Sequence, residues 1–172
     1  NQNELTFEPQ GSLPDIVATD RTRLRQILIN LVGNALKYTS KGSVRVSYGL
    51  LGTELYFRVR DSGIGIKPED YDHLFQPFSR LKHDGKAPEG TGLGLVLSKR
   101  LAQALSGDVI LESSELGRGS VFLLTVQSNP KDVRLIPTHT TLRVATTAGS
   151  AQTEAKAGAL DGKRVLVFED SV

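Results

Sequence analysis

The sequence predicts an α/β domain, and two kinds of periodicity predict it. Leu24, Ile27, Leu28, Leu31, Val32, Ala35 and Leu36 recur at three- and four-residue steps, giving an apolar helix face wide enough to cover a sheet. A second helical pattern runs from Leu95 through Leu97, Leu101, Ala102 and Leu105. Between and after them, Val44, Val46 and Tyr48, then Leu55, Phe57 and Val59, alternate with polar residues as half-buried strands do.

Taken in order, Leu5-Thr6-Phe7-Glu8 reads as a first strand and Pro9 to Pro14 as a turn cluster. Ile16 to Ala18 reads as a second strand. Asp20 is placed to cap the first long helix, which should end near Tyr38. Gly49 to Thr53 separates the two strands of a hairpin. Pro68-Glu69-Asp70 opens a short helix, with proline and acids in its first turn. Gly107 is expected to stop the second long helix. Val109 to Ser113 and Val121 to Val126 form a second hairpin around a turn at Gly117-Arg118-Gly119-Ser120. From Ser128 the composition shifts to Pro, Thr, Ala, Ser and Gly, as in a linker. Thr141 to Val144 could pair there as an isolated strand. Val165 to Phe168 is apolar on both faces, as a buried parallel strand is, and Glu169 and Asp170 follow it.

Composition narrows the function. A net charge of +2 does not argue for nucleic acid or an anionic membrane. The absence of cysteine excludes disulfides, thiolate metal sites and thiol catalysis. No apolar run approaches the roughly 20 residues of a membrane helix. The chain contains no methionine, which reads as a portion of a longer protein.

Three stretches carry chemistry. In Glu89 to Leu95, Gly90, Gly92 and Gly94 alternate with Thr91 and Leu93 just before a helix. Such a stretch is either a flexible turn or a phosphate site, because glycine allows close approach and a helix N-terminus favours anions. Asn30, Asn34 and Lys37 share one stripe of the first helix. An amide oxygen suits Mg²⁺ and a lysine suits phosphate; the alternative is a solvated face, although asparagine is a poor helix former. Asp61-Ser62-Gly63-Ile64-Gly65-Ile66 ends a strand. Its carboxylate could accept a hydrogen bond from an exocyclic amino group, with Gly63 and Gly65 leaving room for a flat ring; the alternative is a plain turn. Between Phe78 and the glycines, Arg80, Lys82, His83 and Lys86 sit in a polar run that reads as a basic lid over a ligand.

In sequence order, N-x-x-x-N-x-x-K, D-x-G-x-G, F-x-x-F, G-x-G-x-G and G-x-G-S resemble the catalytic and ATP-binding domain of sensor histidine kinases, over residues 1–128. Residues 129–161 would be a linker. Residues 162–172 resemble the first strand and acidic pair of a response-regulator receiver domain, so the whole resembles part of a hybrid histidine kinase. The resemblance implies a two-layer α/β sandwich, a mixed sheet with helices on one face. It implies ATP and Mg²⁺ as cofactors, with Asn34 as metal ligand, Asn30 supporting it and Lys37 on phosphate. Tyr38 would flank the nucleotide and Asp61 would bond the adenine amino group beside Gly63 and Gly65. Phe75 and Phe78 would anchor the lid, with Arg80 and Lys82 on the γ-phosphate. Gly90, Gly92 and Gly94 would shape the lid's end, and Gly117 and Gly119 would let the last hairpin close near the base. Ile66, Thr91, Leu93, Leu95 and Ser120 complete the nucleotide-binding set.

The implied reaction is γ-phosphoryl transfer to a histidine on a separate dimerisation hairpin, on the cytoplasmic side, with a receiver domain or response regulator downstream. His73, His83 and His139 do not resemble that acceptor. Two rivals stand beside this reading. One is a non-catalytic nucleotide-sensing or docking module. The other is a gyrase-type ATPase, whose glutamate base would occupy the place held here by Asn30.

Overall fold

The computed structural model describes residues 2–14, 17–79, 91–128, 135–137 and 142–146. Strands β1 (Asn3–Gln10) and β2 (Ser12–Pro14) precede helix α1 (Arg21–Tyr38). The hairpin β3 (Ser43–Leu51) and β4 (Glu54–Asp61) follows, then a 3₁₀ turn (Pro68–His73) and helix α2 (Gly94–Ala104). A second hairpin, β5 (Asp108–Glu115) and β6 (Gly119–Gln127), is succeeded by β7 (Leu135–Pro137) and β8 (Leu142–Thr146). Six strands form one sheet in the order β5-β6-β4-β3-β1-β8. Among the described strands only the β1–β3 pairing is parallel, so the sheet is mixed as expected.

Strand alternation decides which face the helices cover. Val44 and Val46 on β3, Leu55 and Val59 on β4, and Phe122, Leu124 and Val126 on β6 point to one side and are buried. They meet Ile27, Leu28, Leu31 and Ala35 of α1 and Ala102 of α2 in one core. Burying each large aliphatic side chain contributes about 1.5–3 kcal/mol. Asp61 follows Val59 by two residues, so the same alternation turns its carboxylate toward the helix layer. Arg45, Arg58 and Arg60 fall on the opposite, open face.

Asp20 caps α1 as expected, its Oδ1 accepting from the Arg23 N–H at 3.0 Å. The far end of α1 is tied down by a residue that local patterns do not single out. Asn3 is 4% exposed. Its Nδ2 donates to the carbonyls of Leu36 at 3.1 Å and Thr39 at 2.9 Å, and its Oδ1 accepts from the Gly42 N–H at 3.1 Å. Two carbonyls at the helix end are thereby satisfied.

Several boundaries differ from the sequence reading. Pro9 and Gln10 continue β1, and the reversal is confined to Gly11 at φ 71°. Past Phe7 the strand has no β8 partner, and such an edge tolerates proline. The second strand is Ser12–Pro14; Val17 and Ala18 are not in a strand, and Ile16 lies outside the described residues. The first hairpin turns on Gly52 and Thr53 alone, because Leu50 still packs on the core. Gly119 and Ser120 belong to β6 and not to the turn.

Within the expected linker, β7 pairs with β2, and β8 pairs antiparallel with β1. The strand expected at Thr141 to Val144 is β8, whereas β7 is specified by a partner more than a hundred residues away, which a local pattern does not reveal. Finally, α2 ends at Ala104, and the left-handed residue after it is Ser106 at φ 56°. Gly107 serves a different need: a Cβ there would lie 1.8 Å from the Thr125 carbonyl oxygen of β6.

Two glycines give opposite expectations. Gly33 sits in the interior of α1 with nothing within 4 Å of an added Cβ, so Gly33→Ala should stabilise the domain by about 0.5–1 kcal/mol. Gly107→Ala should cost about 2–3 kcal/mol through the clash with β6. Urea denaturation of the two variants against the parent checks both signs.

Candidate functional site

Helix α1 is the spine on which the predicted site residues are arranged. Asn30, Asn34 and Tyr38 lie on successive turns, about 6 Å apart along the axis. At the Asn30 level α1 meets the start of α2. The Asn30 Nδ2 donates to the Ser98 hydroxyl at 2.8 Å. A Cβ on Gly94 would lie 2.4 Å from the Asn30 Oδ1, so only glycine lets α2 begin so close to α1. The N-cap of α2, Leu93, makes no side-chain capping bond, so among the described residues no side chain caps the helix's leading N–H groups.

At the Tyr38 level α1 meets the loop after β4. The Tyr38 carbonyl accepts from the Ile64 N–H at 3.2 Å. A Cβ on Gly63 would lie 2.3 Å from that same carbonyl oxygen. Asp61 is 8% exposed. Its Oδ1 accepts from the Gly63 N–H at 2.8 Å, and the Ser120 N–H also bonds to the carboxylate. Burial raises its pKa above the ordinary carboxylate value, and these two N–H donors offset part of the rise. An ionised carboxylate has about four acceptor positions, so capacity remains for a further donor.

The second hairpin closes over this loop. Gly65, at φ 69°, approaches Glu115 so nearly that a Cβ would lie 2.0 Å from its carbonyl oxygen. Gly119, at φ 98°, stands equally near the Asp61 carbonyl. Gly117 donates its N–H to the Ile64 carbonyl at 2.7 Å. Ser114 collects the rest: its hydroxyl accepts from the Ile66 N–H at 2.8 Å and lies 2.9 Å from the Ser120 hydroxyl. Its carbonyl accepts from the Tyr71 hydroxyl at 2.7 Å. Gly63 and Gly65 were expected to leave room for a ring; the space their missing Cβ atoms vacate is taken by the protein's own carbonyls.

The two ends of the expected lid also meet. A Cβ on Gly92, at φ 70°, would lie 2.8 Å from the Ser79 carbonyl oxygen and 2.9 Å from the Phe78 carbonyl carbon. Phe75 packs on the core with the Lys99 ammonium 4.9 Å above its ring. Phe78, expected as the second anchor, is 74% exposed and its backbone is left-handed at φ 61°. The Phe78 backbone, and not its ring, forms the contact with Gly92. Thr91 and Leu93 are exposed, while Leu95 packs against the core. Lys37 is exposed, its ammonium 5.4 Å from the centre of the half-exposed Tyr38 ring. Arg80, Lys82 and Gly90 lie outside the described residues.

Asn3, Ser98, Ser114 and Tyr71 organise the site but had not stood out in sequence. Each works through a contact with a distant segment.

A model of the histidine kinase-, DNA gyrase B- and HSP90-like ATPases matches residues 19–130. The chain belongs to this ATPase family. Over 126 residues it is 48% identical to the aerobic respiration control sensor protein ArcB of Escherichia coli K12. That match covers 71% of this chain but only 16% of ArcB. Full-length ShkA, solved in complex with AMPPNP, is similar at a TM-score of 0.66 and 31% identity, over 79% of this chain and 27% of that one. The nucleotide-free catalytic domain of the histidine kinase ThkA is similar at 0.60 and 28%, over 74% of this chain and 82% of that one. The fold and relatives place this domain with the catalytic domains of histidine kinases. Among the described residues of this ATPase domain, no helix is long and apolar enough to cross a membrane.

The raised pKa of Asp61 has a stability consequence. A carboxyl that is harder to ionise in the folded state destabilises the fold as pH rises from the unfolded pKa through the folded one. Asp61→Asn removes that penalty while keeping an oxygen for the Gly63 N–H. The melting temperature of the ligand-free variant, relative to the parent, should therefore be higher at pH 7 than at pH 4, as thermal scans at the two pH values would show.

Proposed function

We propose that this domain binds Mg-ATP and supplies its γ-phosphoryl group to a histidine on a separate dimerisation hairpin of the parent kinase. The observation that carries the reading is the spacing along α1. A buried carboxylate lies at its C-terminal end and an uncapped helix start lies against Asn30, about 12 Å away along the axis. Asn34 stands between them. Among the described residues its side chain has no hydrogen-bond partner, so its amide oxygen is available.

That oxygen fits the implied cation. Mg²⁺ takes hard oxygen ligands, keeps several waters and relies on substrate phosphates more than on a protein cage. Among the described residues no cluster of three His, Cys, Asp or Glu is placed to hold a metal. Asn34 would hold the ion, and the ion would neutralise charge on the phosphates.

The chain's own groups do the rest. Asp61 accepts the exocyclic amino hydrogen of adenine, and Tyr38 borders the base. The start of α2, with Gly92 and Gly94 allowing close approach, donates N–H groups to the phosphates. Lys37 adds positive charge, as do Arg80 and Lys82 by the family resemblance. A loose phosphoryl transition state needs positioning and charge neutralisation more than covalent help. The acceptor imidazole nitrogen attacks phosphorus as the bond to the β–γ bridging oxygen breaks, and ADP leaves. Residues 162–172 would begin a receiver domain, the downstream partner, and the domain would work in the cytoplasm. A gyrase-type hydrolase is disfavoured because Asn30 is no base at neutral pH and its amide is engaged with Ser98.

Calorimetry of ATP binding provides the test. Asn34→Ala should lose most of the affinity gained on adding Mg²⁺ and leave metal-free binding nearly unchanged. Asp61→Asn should weaken ATP binding roughly tenfold or more in both conditions, as loss of a hydrogen bond to a charged group does. Equal affinities with and without Mg²⁺ and in both variants would refute the site. Radiolabelled ATP should leave this chain unphosphorylated in isolation; a stable acid-labile phosphoprotein would refute the separate acceptor.

A further inference from the structure

The sheet face opposite α1 and α2 has a feature that the proposed nucleotide site does not use. Alternation along β3 and β4 places Arg45 and Arg60 on that face, and they are direct partners in the strand register. Like charges directly opposite each other on a sheet are destabilising. Arg45 is shared with Glu8 at 3.1 Å. Arg60 has no partner among the described residues. Between them and the β5–β6 turn lies a hollow of about 220 Å³, lined by Ser43, Arg45, Arg60, Asp61, Ser62 and Arg118.

The chemistry of the lining is that of an anion site. Three guanidinium groups offer forked donors suited to phosphate oxygens. The Ser62 hydroxyl accepts from the Ser43 N–H at 2.9 Å, so its own proton remains to be donated. Arg118 is held by Glu115 at 3.2 Å, but both groups are largely exposed, and such pairs are weak enough for a dianion to compete. Asp61 also borders the hollow, but strand alternation turns its carboxylate toward the helix layer, where the Gly63 N–H holds it at 2.8 Å. The hollow is smaller than the roughly 300–1,000 Å³ of a typical ligand pocket, so it suits one phosphate group and not a nucleotide.

We propose that this hollow binds a single phosphate dianion, free or as a monoester, on the sheet face opposite α1 and α2. Arg60 is its main ligand, and Arg45, Arg118 and Ser62 complete it.

The test is amide NMR of the isotope-labelled 172-residue chain, titrated with inorganic phosphate at ionic strength held constant with chloride. A second arm uses O-phosphoserine to separate free phosphate from a monoester. Saturable shifts at Ser43, Arg60, Ser62 and Arg118 are expected in at least one arm. Arg60→Ala should weaken that binding roughly tenfold or more, with ATP affinity unchanged. Arg118→Ala, in an exposed turn, should weaken it less and serves if Arg60→Ala loses its dispersed spectrum. Shifts confined to Asn34, Lys37 and Gly92 to Leu95, shifts that grow without saturating, or equal binding in the variants would overturn the proposal.

Discussion

The side-chain amide of Asn3 fixes the end of α1, and the site's geometry follows from where that end lies. Asn3 is buried, accepts one hydrogen bond and donates two, all to backbone on either side of the turn from α1 to β3. The Thr39 hydroxyl adds a bond to the Ala35 carbonyl at 2.7 Å. With the last turn held in this way, the Tyr38 carbonyl is a fixed surface. Gly63 and Ile64 pack onto it, and Asp61 is set by the loop they form. Were the last turn to fray, the acid would lose its register with Asn34, since both are positioned by the same helix.

The glycines divide by what stops a side chain from being there. At Gly63, Gly65, Gly92, Gly107 and Gly119 an added Cβ would press on another segment's backbone. At Gly94 it would strike the Asn30 side chain. Gly117 has open space around it and needs glycine only for its φ of 77°. The conformation at Gly92 and Gly94 therefore rests on how the chain packs against itself. α2 approaches α1 closely at Gly94, and Gly92 lies against the backbone of Phe78 and Ser79.

Much of this was legible in the sequence because local periodicity and the site chemistry coincide. The amphipathic run from Leu24 to Leu36 gave α1 with its cap at Asp20, and the alternation through Val59 placed Asp61 at a strand end on the core side. What was not legible depended on remote partners. β7 is a strand only because β2 is there to pair with it. Phe78 looked like an anchor because it is aromatic, yet its left-handed backbone carries its contact. Asn3 looked like an ordinary polar residue, since nothing local announces a helix end thirty-odd residues on.

The near contact between Gly92 and the backbone of Phe78 and Ser79 has a wider meaning for how such domains diversify. A loop whose two stems touch is already closed by the scaffold, so lengthening it costs little: about 0.6 kcal/mol for each doubling of its length. Insertions, deletions and recoloured charge patterns between those stems can be sampled without disturbing the rest. The pinch thus uncouples the length of chain between those stems from the stability of the scaffold on either side.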